Sequence, residues 1–208
     1  MNKIKFHSPV IVSGQEKKLL NKVLTSKEWS SFRGSTKNPL KVVSITSKEA
    51  SKKGPLECMF LGGKYVRKLE GQFARNFNSK FCISANSATS CLSMAVGALD
   101  LGPGDEVLLP SMSWISTATS ILTFQAIPIF CEVKPDTFCI DPDDIEKRIT
   151  KRTKAIMIVH LGGNSCDMDK ISKICKKHNL KLIEDCAQSP GVTFRKKLLG
   201  TFGDIGIF

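Results

Sequence analysis

The 208-residue chain has little of what metal sites and membrane spans require. It contains only three histidines and no Cys-x-x-Cys pair, which argues against a metal site. No stretch approaches the roughly 20 apolar residues that a membrane-spanning helix needs, and no apolar run near Met1 forms a signal peptide. We therefore predict a cytoplasmic protein with no metal ion and no membrane association.

Aspartate is absent from the first 80 residues, which carry 17 basic and five acidic side chains. Residues 81–208 are balanced, with 14 side chains of each sign. Such asymmetry can indicate a nucleic-acid surface, but the basic region lacks interleaved aromatic residues and a recognisable binding motif. We interpret it as a solvated basic face and expect no nucleic-acid partner.

The eight cysteines do not indicate a disulfide scaffold, because a chain of this length can build a core without crosslinks. Five of them lie within apolar runs, where a small hydrophobic side chain would serve equally well. We predict reduced and mostly buried thiols.

The first 80 residues contain two helical patterns separated by a polar segment. Ser13 and Glu16 form a capping box ahead of apolar residues at helical spacing, which predicts a first helix over 13–24. Residues 34–57 are lysine-rich and contain two prolines, which indicates a long excursion or mobile loop. An amphipathic pattern then predicts a helix over 62–77.

From residue 81 onward, short apolar runs alternate with helical patterns, which predicts an α/β fold with a mainly parallel sheet flanked by helices. We divide the chain into residues 1–80, with the N-terminal helices and basic excursion, and residues 81–208, an incomplete α/β domain. We predict helices over 88–99, 114–124 and 168–178. The predicted strands are Phe81 to Ser84, Glu106 to Leu109, Ile127 to Cys131, Ala155 to His160, Lys181 to Glu184 and Ile205 to Phe208.

Ligands of open α/β sheets bind beyond the carboxyl ends of the strands, so the residues that follow each strand are candidates for a site. Ser87, Ala88 and Thr89 open a helix, and free amides with small side chains at a helix N-terminus suit a phosphate group. Ser and Thr are also ordinary N-caps. Trp114 starts another predicted helix, where it stacks on a planar ring or belongs to the core.

Asp185 follows the strand Lys181 to Glu184, and a carboxylate there needs a cationic partner such as a protonated pyridine nitrogen. Its alternative role is to cap the next helix. His160 either orients another group or is a hydrogen-bonded core residue.

An ordered series of motifs resembles the DegT/StrS-type nucleotide-sugar aminotransferases, with matching order and spacing from about residue 62 to the end. Any single motif is unspecific, but the ordered set is highly specific. The motifs are Ser87-Ala88-Thr89, Gly102 to Val107, Pro110-Ser111 with Trp114, Pro135 to Phe138, Arg152 to Ile156, Asp167-Met168, Ile183-Glu184-Asp185 with Gln188, and Gly203 to Gly206.

The resemblance implies the large domain of a fold-type-I enzyme that uses pyridoxal 5′-phosphate (PLP). It implies that Thr89 and the backbone of Ala88 bind the phosphate, although many relatives have glycine at the position of Ala88. It also implies that Trp114 stacks on the ring, that Asp185 pairs with the pyridinium nitrogen, and that Gln188 contacts the oxygen side of the ring.

The resemblance further implies a keto-sugar nucleotide substrate, an amino donor such as glutamate, and a homodimer. In the family the Schiff-base lysine follows the Gly-Asp-Ile-Gly run, so we expect a chain truncated before that lysine and the small C-terminal domain. We therefore expect no catalytic residue within residues 1–208 and no transaminase activity from this chain alone. The alternatives are a PLP-dependent sugar dehydratase of the same fold and a non-catalytic fragment.

Overall fold

The computed structural model describes residues 14–26 and 64–208. The chain divides between Gly71 and Gln72 into two compact units. The predicted excursion at 34–57 and the capping residue Ser13 lie outside the described residues. The predicted boundary at residue 80 stays a prediction.

The two helices predicted from apolar spacing in the first 80 residues are present. Helix α1 spans Gly14–Ser26 and has Glu16 in its first turn, where the helix dipole favours a negative charge. Helix α2 spans Lys64–Asn76. Near the end of α2, Phe73 stacks on Phe77 with ring centroids 4.3 Å apart, and both rings contact Phe208.

The later part of the chain alternates strands and helices, as the sequence predicts. Its helices are α3 (Ala88–Ala98), α4 (Ser116–Thr123), α5 (Pro142–Arg148) and α6 (Met168–His178). Its strands are β1 (Glu106–Pro110), β2 (Ile127–Cys131), β3 (Thr153–Val159), β4 (Lys181–Asp185), β5 (Thr193–Phe194), β6 (Lys197–Leu198) and β7 (Ile205–Ile207).

Five strands form one parallel sheet in the order β2-β1-β3-β4-β7, and β5 pairs with β6 as a small antiparallel hairpin. Helices cover both faces of the sheet. Along β1, Leu108 packs on the face that carries α5 and α6, whereas Val107 and Leu109 pack on the face that carries α3 and α4. This alternation follows from the two-residue period of a strand and confirms the predicted α/β class.

One predicted strand is wrong. Residues 81–85 form no strand in the structure, and the side chains of Phe81 and Ile83 are each 72% exposed. An apolar run becomes a strand only when a neighbouring strand accepts and donates its backbone hydrogen bonds. None of the described strands lies beside this segment.

The seven cysteines within the described residues are free, and five of them are buried, in agreement with the predicted reduced thiols. Among the helices of the described ranges, none is both long enough and apolar enough to cross a bilayer.

Helix α3 begins with a side-chain cap. Ser87 Oγ accepts the backbone N–H of Ser90 at 3.3 Å. We expect Ser87→Ala to cost about 1 kcal/mol of unfolding free energy and to lower Tm by roughly 2–4 °C. The matched control is Ser93→Ala in the same helix, which should leave Tm unchanged or slightly higher because Ala is the better helix former. Equal thermal melts for the two variants would contradict the capping role.

Candidate functional site

A cavity of about 200 Å³ lies at the carboxyl ends of the central strands. Val159 at the end of β3 and Asp185 at the end of β4 line it, together with the first residues of α3. Strand order reverses between β1 and β3, and this is the position where open α/β sheets bind ligands. The five side chains singled out from the sequence all line this cavity: Ala88, Thr89, Trp114, Asp185 and Gln188.

One side of the cavity is the N-terminus of α3. In the first turn, Ser90 N–H is capped by Ser87 Oγ, and Cys91 N–H donates to Ser87 O. The amides of Ala88 and Thr89 have no acceptor among the described residues, as expected for the first N–H groups of a helix. These two amides and the Thr89 hydroxyl suit an anionic group such as a phosphate.

Trp114 lies at the cavity but not in the core. Its side chain is 71% exposed, and α4 starts two residues later at Ser116. The alternative interpretation as a core tryptophan is therefore wrong. An exposed indole beside a cavity offers a flat apolar surface to a planar ligand.

Asp185 is a buried carboxylate, 6% exposed, without a cationic side chain paired to it in the described part of the chain. Burial raises the pKa of Asp185, and a hydrogen bond from Ala187 N–H and the electrostatic influence of the nearby His160 ring partly offset this effect. The Ala187 bond is 3.0 Å long and closes a turn, and no helix follows. The helix-capping alternative for Asp185 is therefore wrong, and the cavity contains a buried carboxyl group with no cationic side chain beside it among the described residues.

Gln188 lines the cavity and contacts a short turn that follows β3. Its Oε1 accepts the backbone N–H of Gly162 at 2.7 Å. Gly162 belongs to a single 3₁₀ turn, Leu161–Gly163. In the sequence, the only candidate residue beside this turn was His160.

Behind the cavity, Glu184 is a fully buried carboxylate whose partners could not be read from the sequence. Its Oε1 accepts the N–H groups of Phe202 and Gly203, and its Oε2 accepts that of Gly200 and contacts His160 Nε2 at 3.4 Å. The only hint in the sequence was the pair of acidic residues, Glu184 and Asp185, at the end of an apolar strand. A carboxylate buried at such a position requires hydrogen-bond donors.

The other ring nitrogen of His160, Nδ1, accepts the N–H of Cys166 at 3.2 Å. His160 is therefore the hydrogen-bonded core residue of the two alternatives. The side chains of His160, Glu184 and Cys186 offer potential metal-ligand atoms within 4.8 Å of one another. Backbone amides already occupy both oxygens of Glu184, so we interpret this group as a structural network.

A model of the DegT/DnrJ/EryC1/StrS aminotransferase family matches residues 51–208. The dTDP-3-amino-3,6-dideoxy-alpha-D-galactopyranose transaminase of Aneurinibacillus thermoaerophilus is 45% identical over 148 residues, which are 71% of this chain and 40% of the relative. The L-glutamine:2-deoxy-scyllo-inosose aminotransferase of Streptomyces kanamyceticus is 40% identical over 154 residues, which are 71% of this chain and 36% of the relative. The chain thus spans less than half the length of these relatives.

Solved structures show the same similarity. The aminotransferase from Psychrobacter cryohalolentis superimposes with a TM-score of 0.77 at 32% identity, covering 96% of this chain and 43% of that structure. The structure of ntda from Bacillus subtilis, which contains the cofactor pyridoxamine phosphate (PMP), gives a TM-score of 0.63 at 34% identity. That match covers 79% of this chain and 37% of the neighbour.

Proposed function

Because the chain belongs to the DegT/DnrJ/EryC1/StrS aminotransferase family, we propose that it forms the PLP-binding portion of an enzyme that replaces the keto group of a nucleotide-linked sugar with an amine. The observation that carries this proposal is a single cavity with a buried carboxyl group, Asp185, and the free amides of Ala88 and Thr89.

The residues of the cavity fit the parts of PLP. The amides of Ala88 and Thr89, with the Thr89 hydroxyl, are donors for the phosphate. Trp114 offers an exposed indole for one face of the ring. Asp185 offers a carboxylate to the ring nitrogen, and Gln188, which lines the same cavity, offers its side-chain amide to the ring oxygen.

When bound, PLP supplies an electron sink for the carbon that exchanges its amino group. In this proposal Asp185 holds the proton on the ring nitrogen, because a carboxylate in a buried place strongly favours a cationic partner. Trp114 covers the ring and excludes water from one face. The α3 amides hold the phosphate and thereby orient the ring.

The substrate of the proposed reaction is a keto-sugar attached to a nucleoside diphosphate, with glutamate as the donor. The choice of a sugar nucleotide is supported by the 45% identity to a dTDP-sugar transaminase. A second candidate is a keto-cyclitol substrate with L-glutamine as the donor, which is supported by the 40% identity to an inosose aminotransferase. We also propose that the whole protein is a homodimer, which light scattering would test.

The experiment that tests the proposed function is a substrate panel on the whole protein loaded with PLP. A 3-keto dTDP-sugar and 2-deoxy-scyllo-inosose are each combined with glutamate and with glutamine, and the amino product is measured by mass spectrometry. We expect turnover with the sugar nucleotide and glutamate. Turnover only with inosose and glutamine would support the second candidate. Absence of amino product from all four pairs, with the cofactor bound, would contradict the proposed reaction.

A further inference from the structure

The side-chain amide of Gln188 is held at one of its two ends. A side-chain amide has an acceptor oxygen at one end and two N–H donors at the other. The oxygen of Gln188 is occupied by Gly162 N–H at 2.7 Å, and the reversed amide would bring two donors together. Its nitrogen, Nε2, has no protein acceptor among residues 14–26 and 64–208.

The turn that carries Gly162 is anchored on both sides. Gly162 has φ of 61° and Gly163 has φ of 84°, a left-handed backbone that favours glycine. Before the turn, His160 N–H donates to Asp185 O at 3.1 Å. After the turn, Asn164 Nδ2 donates to Thr137 O at 3.2 Å.

The first of these anchors is itself buried and hydrogen-bonded. His160 is 0% exposed, and its Nδ1 accepts the N–H of Cys166, so the ring proton lies on Nε2, next to Glu184. Rotation of the turn would break these buried bonds, and unpaired buried polar groups are costly. The direction of the Gly162 N–H is therefore set by the fold.

We infer that the backbone N–H of Gly162 is a positioning group, which turns Gln188 so that its NH₂ end is the end offered to a ligand in the cavity. The cavity then presents a donor at Gln188 and an acceptor at Asp185. This inference rests on the proposed function and deepens it. A donor at Gln188 and an acceptor at Asp185 together favour one ionic form of the PLP ring. That form has a deprotonated ring oxygen beside Gln188 and a protonated ring nitrogen beside Asp185.

The test uses PMP and the analogue of PMP that lacks the ring hydroxyl, because neither carries an aldehyde that would react with surface lysines. Affinities for the whole protein are measured by isothermal titration calorimetry. We expect the wild-type protein to bind PMP about 10- to 100-fold more tightly than the deoxy analogue, as for a hydrogen bond to a charged oxygen.

Two variants separate the donor role from general packing. Gln188→Glu keeps an acceptor for Gly162 but presents an oxygen to the ring, so the preference should invert in favour of the deoxy analogue. Gln188→Leu should bind both ligands equally. The control is Gln72→Glu, an exposed residue away from the cavity, which should keep the wild-type preference.

Hydrogen exchange of the Gly162 amide, measured by NMR, tests the positioning contact itself. Exchange should be about fivefold or more faster in Gln188→Leu than in wild type, and close to wild type in Gln188→Glu. An unchanged ligand preference in Gln188→Glu, or equal exchange in all three proteins, would overturn this inference alone. Failure of the wild-type protein to bind PMP would contradict the proposed function and, with it, this inference.

Discussion

Asp185→Asn is expected to lower the amino-transfer rate of the whole protein by about 100-fold or more. The reason is that a neutral amide cannot hold a proton on the ring nitrogen, so the electron sink is weakened. The amide still accepts the Ala187 N–H, so the local turn should remain. Steady-state rates with PLP at saturation measure the effect. The exposed Asp136→Asn is the control and should keep wild-type turnover.

The same substitution should raise Tm at neutral pH when no cofactor is bound. Burial raises the pKa of Asp185, so the folded chain binds its proton more tightly than the unfolded chain does. Stability contributed by this group is therefore present below the unfolded pKa and is lost as pH rises through the raised folded pKa. Asparagine carries no charge and removes this loss. Melting curves from pH 4 to pH 8 should show the Tm difference between variant and wild type growing with pH. If the variant is less stable than wild type at neutral pH without cofactor, Asp185 is not a destabilising buried carboxylate.

The turnover measurement has its own contradicting outcome. Near-normal turnover of Asp185→Asn would remove Asp185 from its proposed role.

Glu184→Gln is expected to cost about 4 kcal/mol of unfolding free energy, which lowers Tm by roughly 8–16 °C. Each oxygen of Glu184 has two hydrogen-bond donors beside it. Whichever way a glutamine amide turns, its NH₂ end faces two donors, and at least one buried N–H group loses its partner. The measurement is urea unfolding followed by circular dichroism.

The control for this prediction is Glu132→Gln, because Glu132 is exposed and the substitution removes the same charge. We expect a change within about 0.5 kcal/mol for that variant. If the two variants lose the same stability, the cost comes from net charge and not from the hydrogen bonds of Glu184. Without cofactor at neutral pH, Glu184→Gln should lower Tm whereas Asp185→Asn should raise it, so the sign of the change distinguishes the two variants.

Much of the architecture follows from local pattern. The apolar run 155–159 of β3 is fully buried within the parallel sheet, and such a run has no polar alternation that could be mistaken for a half-exposed strand. The helical spacing of α2 and α6 likewise predicts their positions within about two residues. The ordered motifs identify the family, and the five candidate residues derived from them all line one cavity.

The sequence by itself determined most of the sheet strands and the longer helices, because the periodicity of apolar residues along the chain differs between the two. Only the tertiary structure decided which polar groups meet. The segment at 81–85 is apolar enough for a strand but has no strand beside it among the described residues, and Trp114 is exposed although tryptophan is usually buried. Glu184 meets amides 16 to 19 residues away, and Gln188 meets an amide 26 residues away. A hydrogen bond depends on the distance and direction of its partner, and for residues so far apart the packing of the sheet sets both.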